Sequence, residues 1–189
     1  MKDVANETSP CHTLPPPPLA TPLATQKEIY MALEIERKFL VHKDFLPELR
    51  EGKFIIQGYL SERPSVRFRI IGSEVILGIK EYLTGGTRFE LETPSKVITS
   101  DEIEKLQELA ISPPISKTRY NVEHESLIWE IDVYQGDNLG LITVDVELPY
   151  HDYPLIFPKW VDESNEITGN SVYSNINLGK HPFNHWNLK

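Results

Sequence analysis

Cysteine is nearly absent: Cys11 is the one thiol in 189 residues. That excludes an internal disulfide framework and any cysteine-cluster zinc site. It suits a reducing compartment, so a cytoplasmic protein is expected. Long apolar runs are missing as well. No stretch approaches the roughly 18 residues of a membrane-spanning helix, and no membrane partner is expected. A basic excess is also lacking, since 19 Lys and Arg face 28 Asp and Glu for a formal net charge of −9. General nucleic-acid binders carry the opposite imbalance, so no nucleic-acid partner is expected. A locally basic site for a small anion is compatible with this balance. The six histidines, His12, His42, His124, His151, His181 and His185, show no metal-ligand spacing.

What is present is ordinary for a soluble globular protein: 40% hydrophobic and 25% charged residues. The length suits one domain. Residues 1–30 stand apart, with Pro15, Pro16, Pro17, Pro18 and Pro22 among Thr, Ala and Leu and no periodicity. A disordered or polyproline arm is expected there, without the basic and apolar regions of a secretory signal. The folded domain is expected over residues 31–189, with Met31 a candidate alternative start.

From Leu33 onward the dominant period is two, which predicts strands at 33–42, 53–61, 65–71, 74–82, 86–93, 115–124, 127–134 and 140–149. Gly72-Ser73, Thr84-Gly85-Gly86 and Gly136-Asp137-Asn138 mark turns between several of them. One helix interrupts the series. Ser100 is read as its N-cap, Ile103, Leu106, Leu109 and Ala110 as its apolar face, and Pro113-Pro114 as its stop. Shorter helices are expected near 44–50 and 171–180. The fold class is α+β, mainly β: an eight-stranded antiparallel sheet or closed barrel with a few flanking helices.

The unusual feature is what alternates with the apolar residues. The polar faces are charged, in pairs spaced by two: Glu34, Glu36 and Lys38; Arg67 and Arg69; Arg88, Glu90 and Glu92; Lys117 and Arg119; Glu130 and Asp132; Asp145 and Glu147. Lys80 ends a further strand. Spacing by two puts each pair on one side of its strand, roughly 6–7 Å apart. A solvated face with cross-strand ion pairs is the bland explanation. Repetition over seven strands, often with like charges together, favours a lumen lined with both signs. Eight strands enclose room for one small ligand. Arginines offer forked donors to phosphate oxygens, and carboxylates bind Mg²⁺ or Mn²⁺, which in turn binds phosphate. Basic residues alone would suggest a phosphate-binding module; the added acidic pairs suggest a metal-dependent phosphohydrolase.

Glu34-Ile35-Glu36-Arg37-Lys38 resembles the ExExK signature of the CYTH, or triphosphate tunnel metalloenzyme, superfamily. The supporting segments follow in the family's order: Gln57-Gly58-Tyr59-Leu60, Val66-Arg67-Phe68-Arg69, Lys80, Arg88-Phe89-Glu90-Leu91-Glu92, Lys117-Thr118-Arg119-Tyr120, Trp129-Glu130-Ile131-Asp132 and Val144-Asp145-Val146-Glu147. Pro158-Lys159-Trp160, Glu166-Ile167-Thr168-Gly169 and Tyr173-Ser174-Asn175 complete the likeness, which spans about residues 31–183.

The resemblance implies an eight-stranded antiparallel tunnel around a triphosphate, as in the small bacterial inorganic triphosphatases. It implies Glu34, Glu36, Asp145 and Glu147 as ligands of Mg²⁺ or Mn²⁺. It implies Lys38, Arg67, Arg69, Lys80, Arg88, Lys117 and Arg119 as phosphate binders, with Glu90, Glu92, Glu130 and Asp132 as acidic supports. Lys117 with Tyr59 resembles a pair that helps activate water. Three departures from the family pattern stand out: Asp145 where a glutamate is usual, the irregular stretch Val161-Asp162-Glu163-Ser164-Asn165 where a tight glycine-containing turn is usual, and Asn170 for a common aspartate. The expected reaction is hydrolysis of inorganic tripolyphosphate by a monomer or homodimer. The alternatives are a thiamine or nucleoside triphosphatase, then a non-catalytic polyphosphate- or nucleotide-binding module. A class IV adenylyl cyclase ranks last, because Ile29-Tyr30-Met31-Ala32 lacks the His-Phe pair of that branch.

Overall fold

The structure is a computed structural model that describes residues 35–82 and 88–186, the side chains of Tyr82 and Arg88 excepted. Glu34, the arm at 1–30 and the turn at 84–86 therefore lie outside the described residues. Ten strands form one antiparallel sheet: β1 (Ile35–Val41), β2 (Lys53–Glu62), β3 (Ser65–Ile71), β4 (Glu74–Tyr82), β5 (Arg88–Glu92), β6 (Lys96–Val97), β7 (Ile115–His124), β8 (Leu127–Tyr134), β9 (Ile142–Leu148) and β10 (Val161–Glu166). The hydrogen-bonded path runs β10-β1-β9-β8-β7-β2-β3-β4-β5, with the short β6 on β4. Two helices flank it, α1 (Ser100–Glu108) and α2 (Asn175–Lys180).

Eight of these strands match the period-two segments. Among the described residues, hydrogen bonds do not close the sheet into the expected eight-stranded barrel: none join β5 to the other end of the path. β10 occupies part of the free edge of β1, from Phe39, opposite Glu166, to Val41, opposite Val161. Its sequence, VDESNE, carries no apolar alternation, so the pattern of the chain did not reveal it.

Side chains divide by the pleat. The outer face of β1, β8 and β9 contributes Phe39, Trp129, Ile131, Val144 and Val146, all fully buried. Trp160, Val161 and the partly buried Phe157, Leu46 and Leu49 cover them. Outside β3 and β4, Phe68, Ile70 and Val75 pack under Ile103 and Leu106 of α1 and under Ala110 just beyond it. The cap of α1 is Thr99 rather than Ser100. Thr99 and Glu102 exchange side-chain and backbone hydrogen bonds in a capping box. The segment expected as a helix at 44–50 holds only a 3-10 turn at Lys43–Phe45, and 171–180 divides into a 3-10 turn and α2.

The inner face is mostly charged, but one end of it is apolar. There Leu40, Ile115, Tyr134 and Leu141 meet Leu178 of α2, which is fully buried. Asn138 fixes this cap in place: its amide donates to Leu178 O at 3.2 Å, and its carbonyl accepts from Phe183 N at 2.8 Å. The helix thus forms an apolar floor beneath the charged part of the sheet.

Candidate active site

Above that floor the sheet curls round a cavity of about 300 Å³. Residues of β1, β2, β3, β4, β5, β7, β8 and β9 line it, so alternate side chains of eight strands reach one space. Among the described residues the lining holds six cations (Lys38, Arg67, Arg69, Lys80, Lys117, Arg119) and six carboxylates (Glu36, Glu90, Glu92, Glu130, Asp145, Glu147). Ile55, Gln57 and Asn175 complete it.

The acidic supports hold the basic residues in two groups. On the β3–β5 side, Arg67 Nη2 reaches Glu92 Oε1 at 2.5 Å, and Arg69 donates to the same oxygen. Lys80 Nζ lies 2.6 Å from Glu90 Oε1. Gly78 makes room for this crossing: a Cβ there would stand 3.0 Å from Arg67 Nε. Burial and the neighbouring Arg67 lower the pKa of the Arg69 guanidinium.

On the β7–β9 side the hub is Asp132. Arg119 grips it in a fork, with Nε and Nη2 each 2.7 Å from a carboxylate oxygen. Arg119 also donates to Glu130, and to Asp145 at 3.2 Å. Lys117 donates to Asp132 from below, and its Nζ lies 5.6 Å from the Tyr134 ring centroid. Burial would push Asp132 up, but Lys117 and Arg119 outweigh it and hold the carboxyl well below its usual range. Burial pulls Lys117 down, Asp132 opposes, and Arg119 and Lys38 add to the fall, leaving its pKa at about 8.

The candidate metal carboxylates sit at the β1–β9 seam. Glu36 and Glu147 are directly opposite across the strands, and both are exposed. Neither forms an ion pair or side-chain hydrogen bond among the described residues. Like charges opposite one another are unfavourable, so this pair is suited to a shared cation. Asp145 lies beside them, buried, with Oδ1 2.9 Å from Lys38 Nζ. Burial, then Asp132 and Glu36, raise its pKa despite Lys38. These oxygens are the hard donors that Mg²⁺ and Mn²⁺ prefer. No three acidic or histidine side chains converge closely enough to form a complete site among the described residues; the remaining candidate, Glu34, is outside them.

Among the described residues no hydrogen bond joins Tyr59 to Lys117. The Tyr59 hydroxyl accepts from Gln57 Nε2 at 2.8 Å, and burial raises its pKa. Tyr134 lies beside Lys117, and the sequence reading passed over it. A signal for it existed: Tyr134 continues the Glu130, Asp132 alternation by one more step. Gln57 and Asn175 were missed as cavity residues because neither carries charge. The backbone of Arg88 opens β5, and its side chain lies outside the described set.

No family model matches the chain. An inorganic triphosphatase of Acetivibrio thermocellus is 36% identical over 155 residues, covering 81% of this chain and 97% of that protein. The crystal structure of the inorganic triphosphatase NE1496 is 29% identical with a TM-score of 0.57, covering 79% of this chain and 95% of the other. A second NE1496 structure, titled as a hypothetical protein, gives 30% identity and a TM-score of 0.56 over 77% and 97% of the two chains. Identity at this level over almost the whole of a relative, joined to the gathering of the ExExK strand with the paired basic strands on one cavity, means that the chain belongs to the CYTH, or triphosphate tunnel metalloenzyme, family.

Proposed function

We propose that the protein hydrolyses inorganic tripolyphosphate to diphosphate and phosphate inside this cavity, with Mg²⁺ or Mn²⁺. The observation that carries the reading is the convergence of six cations from four strands on one small polar space among the described residues. Both relatives named inorganic triphosphatase support the choice of substrate. The curled sheet would serve as the tunnel.

The charge balance argues for metal. The described lining is balanced, and the buried Asp132 beneath it adds one further negative charge. A polyanion entering such a site needs more positive charge than these side chains supply. A divalent cation on Glu36 and Glu147, with Asp145 and Glu34 as further donors, would supply charge neutralisation and polarise a phosphate oxygen.

The chain's own groups would do the rest. Arg67, Arg69 and Lys80 bind phosphate oxygens on one wall, and Lys38 and Arg119 bind them on the other. Arg88 belongs with this set by its position at the start of β5. Glu90, Glu92, Glu130 and Asp132 keep the cations extended and ordered, so little side-chain entropy is lost on binding. Lys117, with a pKa of about 8, is the group suited to accept a proton from the attacking water. The water oxygen forms the new bond to the terminal phosphorus, and the bridging P–O bond breaks with its electrons on the diphosphate. Tyr59 acts one step removed, by holding Gln57 at the cavity wall.

The test is phosphate release from tripolyphosphate, thiamine triphosphate and ATP, each with Mg²⁺, Mn²⁺ and chelator. Fast, metal-dependent release from tripolyphosphate is expected. Release from thiamine triphosphate or ATP alone would move the substrate assignment. No release from any, with tripolyphosphate still raising the melting temperature, would make the domain a binding module.

A further inference from the structure

The cavity has one neutral side chain contributed from outside the sheet. Asn175, the first residue of α2, lines it among the charged groups. Its amide oxygen accepts a hydrogen bond from the Tyr134 hydroxyl at 2.9 Å. Tyr134 is fully buried, its ring lies beneath Lys117, and it forms part of the apolar floor under Leu178. A protonated tyrosine hydroxyl has one hydrogen to give. Tyr134 gives it to Asn175 Oδ1, with Thr143 as a second hydrogen-bond partner of the hydroxyl, so Oδ1 is the end of the amide that faces Tyr134. The two N–H groups of Asn175 Nδ2 are left as the other end, and they make no hydrogen bond among the described residues.

The backbone on either side of Asn175 is also braced. Ser174 Oγ donates to Ser171 O at 2.7 Å, Asn177 Nδ2 donates to the same carbonyl at 2.6 Å, and Leu178 N reaches Ser174 O at 2.9 Å. The turn that carries Asn175 is therefore tied down before any ligand arrives. A pre-positioned donor in an anion cavity binds at low entropic cost.

We infer that Asn175 is a further substrate-binding residue, whose Nδ2 donates to a phosphate oxygen at the floor end of the cavity, oriented by Tyr134. The assignment rests on the triphosphatase reading of the same cavity. It makes α2 part of the active site, and it explains why a neutral amide stands where a carboxylate would repel the substrate.

Asn175→Asp tests it cleanly. Aspartate has the same shape and still accepts from Tyr134, so the floor stays intact, but it offers no donor and adds a negative charge. A hydrogen bond to a charged group contributes about 1.5–3 kcal/mol, which corresponds to roughly a 10- to 100-fold change in affinity. The expected result is a KM for tripolyphosphate raised at least about 10-fold, with kcat changed less and the melting temperature of the ligand-free protein unchanged. Asn175→Ala should raise KM by less, since it adds no charge. A KM for Asn175→Asp within about twofold of the parent would overturn the assignment. If the parent protein releases no phosphate from tripolyphosphate, the triphosphatase reading fails separately. Titration calorimetry with inorganic tripolyphosphate then decides the role of Asn175: at least about 10-fold weaker binding by Asn175→Asp supports it, and equal binding overturns it.

Discussion

Lys117 and Asp132 form an ion pair that solvent scarcely reaches, with side chains 2% and 0% exposed. Lys117 shares that carboxylate with the fork of Arg119. Burial, with Arg119 and Lys38 adding to it, lowers the pKa of the lysine, and the proposed pH behaviour of the site rests on that shift.

The neutral amine of Lys117 is the proposed base, and its share grows as pH rises through about 8. The kcat for tripolyphosphate should therefore climb roughly 10-fold between pH 7 and pH 9 and level off above. The sign for stability follows from the same shift. The folded pKa is lowered, so the unfolded chain holds the extra proton between pH 8 and the ordinary lysine range, and this group's contribution rises with pH across that window. A kcat profile flat from pH 7 to 9, at saturating substrate and metal, would remove Lys117 as the base.

Glu36 and Glu147 oppose each other without a counter-charge among the described residues, so Glu36→Gln should separate folding from function. Losing one of two facing like charges should leave metal-free stability unchanged or raise it by up to about 1 kcal/mol. Turnover with Mg²⁺ or Mn²⁺ should fall at least about 100-fold. The parent should melt higher when either ion is added, and the variant should not. Equal metal-induced stabilisation in the two proteins would place the cation elsewhere.

Much of this site was legible because the period of two repeats in seven strands with the same chemistry. Arg67 and Arg69, Lys117 and Arg119, and Asp145 and Glu147 each had to share a face, and all six side chains line the cavity. Three features were not legible for physical reasons. β10 is held by hydrogen bonds to β1 and has no apolar alternation, so its pairing left no pattern. Tyr134 and Asn175 meet across 41 positions in sequence, a contact that only the docking of α2 creates. Pairing between cations and carboxylates crosses strands, as in Arg119 to Asp132, and periodicity along one strand cannot supply the partner.

Arg69 shares Glu92 Oε1 with Arg67, so the two guanidiniums crowd one carboxylate. Removing one relieves like-charge crowding while losing a donor to substrate. Arg69→Ala should raise KM for tripolyphosphate about 10- to 100-fold, the value of one charge-assisted contact. Its melting temperature should stay close to that of the parent. An unchanged KM would mean that Arg69 does not touch the substrate.

Gly58 tests the outer packing rather than the site. It sits opposite Phe68 in the β2–β3 pair, and the Phe68 ring lies over it. A Cβ at Gly58 would come within 2.3 Å of the ring. Phe68 cannot retreat easily, because it is fully buried with Ile70 and Val75 under α1. Gly58→Ala should therefore cost about 1–3 kcal/mol through overpacking. Phe68 alternates with Arg67 and Arg69 on β3, so a displaced ring would also tilt the strand that presents both arginines. The expected outcome is a lower urea midpoint together with a raised KM and a nearly unchanged pH profile of kcat, since Lys117 stands on another strand. A variant as stable as the parent would show that the ring does not occupy the space above Gly58.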